Sequence, residues 1–246
     1  MSTKLFHLHI PRTGGTSLFR SVTNELGKRR VIALPKKGIF RPGMKLDFGK
    51  RKLESAIFLT GHYFFSNQLP LDCGWVGITV VRDPVERLIS AYRQIKDTIA
   101  IKRSKKFPIR RQLLQVSKLS FEEFSTGRRG SFGLFDVPEY SFNLQTWMLA
   151  GGNNSKSSTL LDRAKSNIDK YFKIVLSFDN LPMLTHLVAS AYNNVFELNL
   201  IHTKGSRYRV PEISEALRSR INKLHQLDVK LYNWTFSLIC LGIRYF

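Results

Sequence analysis

The segment Trp75–Val81 is almost wholly apolar, stops at Arg82-Asp83-Pro84, and is followed by Val85, Leu88, Ile89, Tyr92, Ile95 and Ile99 at helical spacing. An apolar run of seven residues reads as a buried strand, and Pro84 suits the first turn of a helix. A buried strand that enters a helix directly constrains the chain to an α/β arrangement, because a strand hydrophobic on both faces must be covered on both. The pattern recurs. Lys4–Ile10 predicts a short buried strand, and Thr16–Gly27 a helix with Leu18, Phe19, Val22 and Leu26 on one side. Further strands are expected at Val31–Leu34, Ala56–Thr60 and Lys173–Phe178. Helices are expected through about residue 101, over 120–126, 138–150 and 158–170, and across Pro182–Tyr192 and Glu212–Thr235. Residues 35–52 read as a long loop. The expected fold is a three-layer α/β sandwich around a central, mostly parallel sheet, with residues 1–246 as a single domain.

Charge narrows the partners. Thirty-nine Lys and Arg face 18 Asp and Glu across 246 residues, a formal net charge of +21. Such a field attracts polyanions: nucleic acid, anionic lipid, a sulfated or carboxylated glycan, or a highly phosphorylated nucleotide. It would also serve solubility alone. Cationic blocks lie at 28–52 and 102–129. The two cysteines, Cys73 and Cys240, have neither disulfide-scaffold nor zinc spacing. No signal-peptide pattern and no membrane-length apolar run is present. A reducing cytoplasmic setting without a transmembrane anchor is the expectation.

Three polar clusters, at residues 11–17, 61–62 and 82–83, fall at expected strand ends, where parallel sheets bind ligands. In the first, "HIPRTGGTSL", Gly14 and Gly15 permit positive φ and close backbone approach. The following helix directs its free N–H groups and positive dipole end at the loop. Thr13, Thr16 and Ser17 add hydroxyls and Arg12 adds a fixed cation. Together they suit a phosphate or another oxyanion. The plainer alternative is that Thr16 or Ser17 simply caps a helix. A P-loop would need a Lys before Ser or Thr and an earlier glycine, and both are missing. A magnesium-dependent kinase or NTPase, or a basic nucleic-acid-binding module, stands as the alternative; a recognition helix or aromatic RNA-binding motif is not apparent.

These residues resemble a family. "HIPRTGGTSL" is similar to the 5′-phosphosulfate-binding loop of sulfotransferases, in the branch containing the carbohydrate 2-O-sulfotransferases. "VRDPVERLISAY", Val81 to Tyr92, resembles that branch's 3′-phosphate segment. "LTGHYFF" resembles the segment carrying its catalytic histidine, and "YSFNLQTWMLAG" its Asn-x-Gln…Gly helix. The resemblance implies a P-loop-like sulfotransferase fold and 3′-phosphoadenosine 5′-phosphosulfate (PAPS) as co-substrate. It implies that Arg82 and Ser90 hold the 3′-phosphate. It implies His62 as general base and Arg12 at the position of a catalytic Lys. Arginine there can stabilise the leaving group electrostatically but cannot act as an ordinary proton donor. "HTKGSRYR" resembles the family's late PAPS-covering loop, which would place Ser206, Arg207 and Arg209 over the 3′-phosphate and Tyr208 near the base.

The expected reaction is transfer of a sulfuryl group from PAPS to a hydroxyl of a saccharide or small-molecule metabolite, with no metal required. His62 is the one histidine at a strand end beside the expected site, and a neutral imidazole is a suitable base. His7 and His9 share a face of the first strand and read as packing or supporting residues. His186, His202 and His225 read as ordinary surface or helix positions. Asp83 and Glu86 read as structural acids at a helix N-terminus.

Overall fold

The computed structural model describes residues 4–34, 50–66, 69, 74–109, 111–127, 142–152, 157–192, 206, 208–210 and 212–240. In chain order the elements are β1 (Lys4–Leu8), α1 (Gly15–Leu26), β2 (Val31–Leu34), α2 (Lys50–Ser55), β3 (Phe58–Gly61), β4 (Trp75–Val81), α3 (Pro84–Ser104), α4 (Arg111–Lys118), α5 (Phe121–Thr126), α6 (Leu144–Leu149), α7 (Ser157–Tyr171), β5 (Phe172–Ser177), α8 (Leu181–Ala191), α9 (Glu215–Leu224) and α10 (Gln226–Cys240). The five strands form one sheet in the order β2-β3-β1-β4-β5, and every pairing is parallel.

Alternation along β1 explains the layers. Leu5 packs with Leu18 and Val22 of α1 and with Leu181 and Val188 of α8 on one face of the sheet. Phe6 and Leu8 point the other way, into a core shared with Leu144 and Met148 of α6, Ala164 and Ile168 of α7, and Leu231 of α10. Both faces of the strand are dry, so after Lys4 the strand is apolar except for His7, whose ring bonds to Thr60 of β3 within the sheet. A third cluster joins α3, α4, α5 and α9 through Leu88, Tyr92, Ile95, Val116, Phe121 and Ile221.

The segment Glu212–Thr235 is mainly helical, as expected, in two pieces: α9 ends at His225 and α10 starts at Gln226. His225, at that helix junction, is not at the surface: it is fully buried, its Nδ1 accepts the Asn143 N–H at 3.4 Å, and its ring meets Phe142. Two short helices escaped the pattern, α2 in the expected loop and α4 in the second cationic block.

The break at His225 serves a reciprocal cap. Asn143 Oδ1 accepts the N–H groups of Leu227 and Asp228 at the start of α10, at 2.9 and 3.2 Å. Asp228 in turn accepts from Gln145 N, Thr146 N and Thr146 Oγ1 at the start of α6. Each helix thus satisfies the orphan donors of the other. Asp228 is fully buried. Burial pushes its carboxyl above the usual carboxylate range, opposed by the charge of Arg87 and by those hydrogen bonds. Arg87, on α3, is itself buried.

Asp228→Ala removes three hydrogen bonds and the acid facing a buried arginine, so it is expected to cost about 3 kcal/mol or more. Asp228→Asn, which keeps one acceptor oxygen, should cost less. Urea unfolding of both variants checks this, and a loss below about 1 kcal/mol for Asp228→Ala would contradict the cap's importance.

Candidate functional site

The sheet order places β3, β1 and β4 side by side, and their parallel register ends all three at one edge. The three polar clusters therefore meet there, as ligand sites do in this architecture.

After β1 the chain turns through Pro11–Gly14. Arg12 holds φ at 71° and Gly14 at 87°. Glycine tolerates the second value; for arginine the first stores roughly 1 kcal/mol or more of strain, the kind of conformation that clusters at ligand sites. Helix α1 begins at Gly15 with Gly14 as its N-cap and no side chain capping it. The plain capping role for Thr16 or Ser17 is therefore absent. Thr16 is exposed at this end and Ser17 buried. Thr13 is buried and donates its hydroxyl to Ile10 O at 2.8 Å, so it braces the turn.

The turn and α3 are joined through Arg12. Its Nε and Nη2 donate to Ser90 Oγ at 3.1 and 2.9 Å, and its Nη1 to Gln94 Oε1 at 2.8 Å. Arg82, the first residue after β4, donates from Nη1 to Arg12 O at 3.2 Å. The Arg82 guanidinium also lies 3.9 Å over the ring of Phe178, at the end of β5. Burial pulls Arg82 below its ordinary range; Glu86, Asp179 and Asp83 oppose this, and neighbouring Arg12 adds to it. The Nε of Arg82 is buried without a hydrogen-bond partner. Two guanidinium groups, one with an orphaned buried donor, stand beside a hydroxyl and an uncapped helix end, and such a set of donors can accommodate an anion.

Arg82 is held by its backbone. Gln145 Nε2 donates to Arg82 O at 2.8 Å, and Arg82 N donates to Gln145 Oε1 at 2.9 Å. Gln145 continues the ladder of β4 by one rung, and the Asn143–Asp228 cap holds Gln145 in turn. Asp83 caps α3 by accepting from Glu86 N at 3.0 Å, and Arg218 approaches Asp83 and Glu86 at 3.9 and 3.2 Å. Both acids are structural, as expected.

His62 follows β3 directly. Gly61 lets it sit there, because a Cβ at Gly61 would fall 1.6 Å from Leu34 O, the acceptor of the His62 N–H. His62 Nδ1 lies 2.7 Å from the carbonyl oxygen of His9. A carbonyl only accepts, so Nδ1 carries a proton, and in the neutral form of the ring the lone pair lies on Nε2. Behind it stand His9, with ring centroids 4.1 Å apart, and His7, a further 5.2 Å on. Burial, with nearby His62, depresses the His7 pKa from 6.5 to about 3. His9 is also lowered, by burial first and then by His62, His7 and Arg12. His7 and His9 are thus neutral supporting residues.

Of the late loop, Ser206, Tyr208 and Arg209 are among the described residues. Tyr208 packs in the third cluster, its ring 5.7 Å from Tyr92 and 5.5 Å from Lys96 Nζ. Ser206 bonds only to Tyr208 backbone atoms among its described hydrogen bonds, and Arg209 is exposed. Arg207 lies outside the described residues. Gln94 and Phe178 went unread in the sequence. Gln94 stands one helical turn beyond Ser90, and that spacing was the available signal. Among the described residues, no helix is long and apolar enough to cross a membrane, and no group of three or more His, Cys, Asp or Glu gathers as a metal site.

A sequence profile described as the Sulfotransferase family matches residues 50–235. The match takes in His62, Arg82, Ser90, Gln145 and Asp228 and begins after the Arg12 turn. No curated protein matches the chain.

The buried neutral histidines are expected to make the fold acid-labile. Unfolded histidine takes up a proton near 6.5, while folded His7 resists until about 3. Between those values the unfolded chain binds more protons, so stability is complete above pH 6.5 and falls as pH drops. His7 alone accounts for about 2 kcal/mol between pH 6.5 and 5. Urea midpoints measured across that window should fall more steeply for the wild type than for His7→Gln; parallel curves would contradict the buried neutral ring.

Proposed function

The chain belongs to the sulfotransferase family, and from that premise we propose that it moves the sulfuryl group of PAPS to a hydroxyl of a saccharide or small-molecule metabolite by direct in-line displacement. Family membership itself supports sulfuryl transfer to a hydroxyl-bearing acceptor, and the family generally uses PAPS as donor. The observation that carries the finer reading is the bonding of Arg12 to Ser90 and of Arg82 to Arg12. It joins the glycine turn and the α3 segment, which resemble the two phosphate-binding motifs, into one cationic site.

On this reading the uncapped start of α1 and the Gly14 turn hold the 5′-phosphosulfate. Arg82 and Ser90 hold the 3′-phosphate. Arg12 exchanges its neutral partners Ser90 and Gln94 for phosphate oxygens and stabilises the leaving group. The acceptor oxygen attacks sulfur as His62 Nε2 takes the hydroxyl proton. The new S–O bond forms as the bond from sulfur to the 5′-phosphate oxygen breaks, releasing adenosine 3′,5′-bisphosphate. Fixed guanidinium charges meet the growing negative charge, so turnover is expected to persist in EDTA. Residues 1–246 act as one domain. The late loop, with Ser206, Arg207, Tyr208 and Arg209, covers the nucleotide on its 3′-phosphate side. The motifs that resemble those of carbohydrate 2-O-sulfotransferases put saccharides among the acceptors to be screened, beside small hydroxylated metabolites.

Calorimetric titration with adenosine 3′,5′-bisphosphate tests the donor site. Arg82→Ala should weaken binding by about 10- to 100-fold, the worth of a charge-assisted hydrogen bond. Unchanged affinity would remove Arg82 from the site. His62→Ala should leave that affinity within a few-fold and lower turnover by about 10²- to 10⁴-fold in a mass-shift assay with PAPS and acceptor hydroxyl compounds. Magnesium-dependent ATP turnover without bisphosphate binding would overturn the proposal in favour of a kinase.

A further inference from the structure

Gly15 is in ordinary helical conformation, so positive φ does not explain a glycine there. Its missing side chain does. A Cβ on Gly15 would lie 2.1 Å from His9 Cδ2 and 2.4 Å from His9 Nε2. The imidazole of His9 therefore lies flush on the first turn of α1. The same ring meets His62, with centroids 4.1 Å apart and planes inclined at 35°. The backbone of His9 brackets the same neighbour: its N–H donates to Gly61 O at 2.9 Å, and its carbonyl accepts the His62 Nδ1–H at 2.7 Å. One residue thus holds His62 at its ring and its Nδ1, and touches the anion-binding turn with the same side chain.

We propose that His9 is a positioning residue whose ring, clamped between Gly15 and His62, sets the separation between the base and the turn that holds the sulfuryl donor, and that the second glycine of the turn exists to admit that ring. The inference rests on the reading of His62 as base. The physical need is clear: transfer requires the acceptor oxygen, sulfur and base in line, and a misplacement of about 1 Å can cost about 100-fold. The His9 backbone fixes the tautomer of His62, and the His9 ring fixes its plane and distance. The groups facing His9 are His7 on β1, His62 after β3 and Arg12 in the turn; none is an acid, so the ring stays uncharged and serves as a rigid neutral spacer.

Two comparisons test this. In the first, His9→Phe keeps a flat ring and His9→Leu keeps volume without one. Bisphosphate affinity should change by a similar factor in the two variants, because both replace the ring that packs on Gly15 and both leave Arg82 and Ser90 in place. His9→Leu should lose at least 30-fold in kcat, beyond any change in affinity, whereas His9→Phe should recover most of that loss. Equal kcat for the two, or a matched loss of affinity and melting temperature, would overturn the spacer role. In the second, Gly15→Ala should sharply weaken bisphosphate binding in the wild-type background, because methyl and imidazole overlap, yet cost little in a His9→Ala background. An equal cost in both would show that Gly15 answers to the nucleotide and not to His9. This binding epistasis needs no turnover. If His62→Ala retained activity while the epistasis appeared, the base assignment would fail and the Gly15–His9 packing would stand. If His62→Ala were inactive and the epistasis absent, the present inference alone would fail.

Discussion

The site depends on β1 being hydrogen-bonded on both edges. Its register with β3 pairs Leu8 with Gly61, and its register with β4 pairs Leu8 with Thr79. Those pairings decide that the turn after Leu8 lies beside His62 on one side and near Arg82 on the other. A slip of one residue would reverse which face each side chain of β1 occupies, moving Leu5 off α1 and His9 away from His62. The strand is held in place by burial on both faces, each large apolar side chain contributing roughly 1.5–3 kcal/mol. The distance between His62 and the Arg12 turn is thereby tied to core packing and inherits the rigidity of the sheet.

A second tier of order comes from polar groups buried at helix ends. Helices α6 and α10 each place a side chain on the other's first turn, and the result reaches the site through Gln145. Buried Asp228 would be costly alone, because burial disfavours its charge. Three donors and the charge of Arg87 offset that cost. The arrangement fixes where β4 ends through the Arg82 main chain, while the Arg82 guanidinium bonds to Arg12 O and lies over Phe178.

Much of this was legible in the sequence because the strong signals are local. The Trp75–Val81 run, Pro84 and the spacing from Val85 to Ile99 specify β4 and α3 without outside help. The five strands fall close to their expected positions for the same reason. What stayed hidden depends on contacts between distant segments. Helical periodicity continues across His225, so only the Asn143–Asp228 exchange reveals the break there. Helices α2 and α4 are short and rich in cations, which masks their apolar faces. The direction of the Arg12 side chain follows from a positive φ that arginine seldom adopts, so its contact with Ser90 could not be read from composition. The reason for Gly15 lies six residues upstream, in a ring that only the fold brings back.

The Gln145 clamp grips the peptide of residue 82 and ignores what that residue carries. Its two hydrogen bonds reach only main-chain N–H and C=O groups. The end of β4 is thus pinned whatever side chain residue 82 carries, and the contacts of the guanidinium with Arg12 O and Phe178 come on top of that anchor. A scaffold wired in this way can exchange the group at the strand's rim while the strand itself stays fixed.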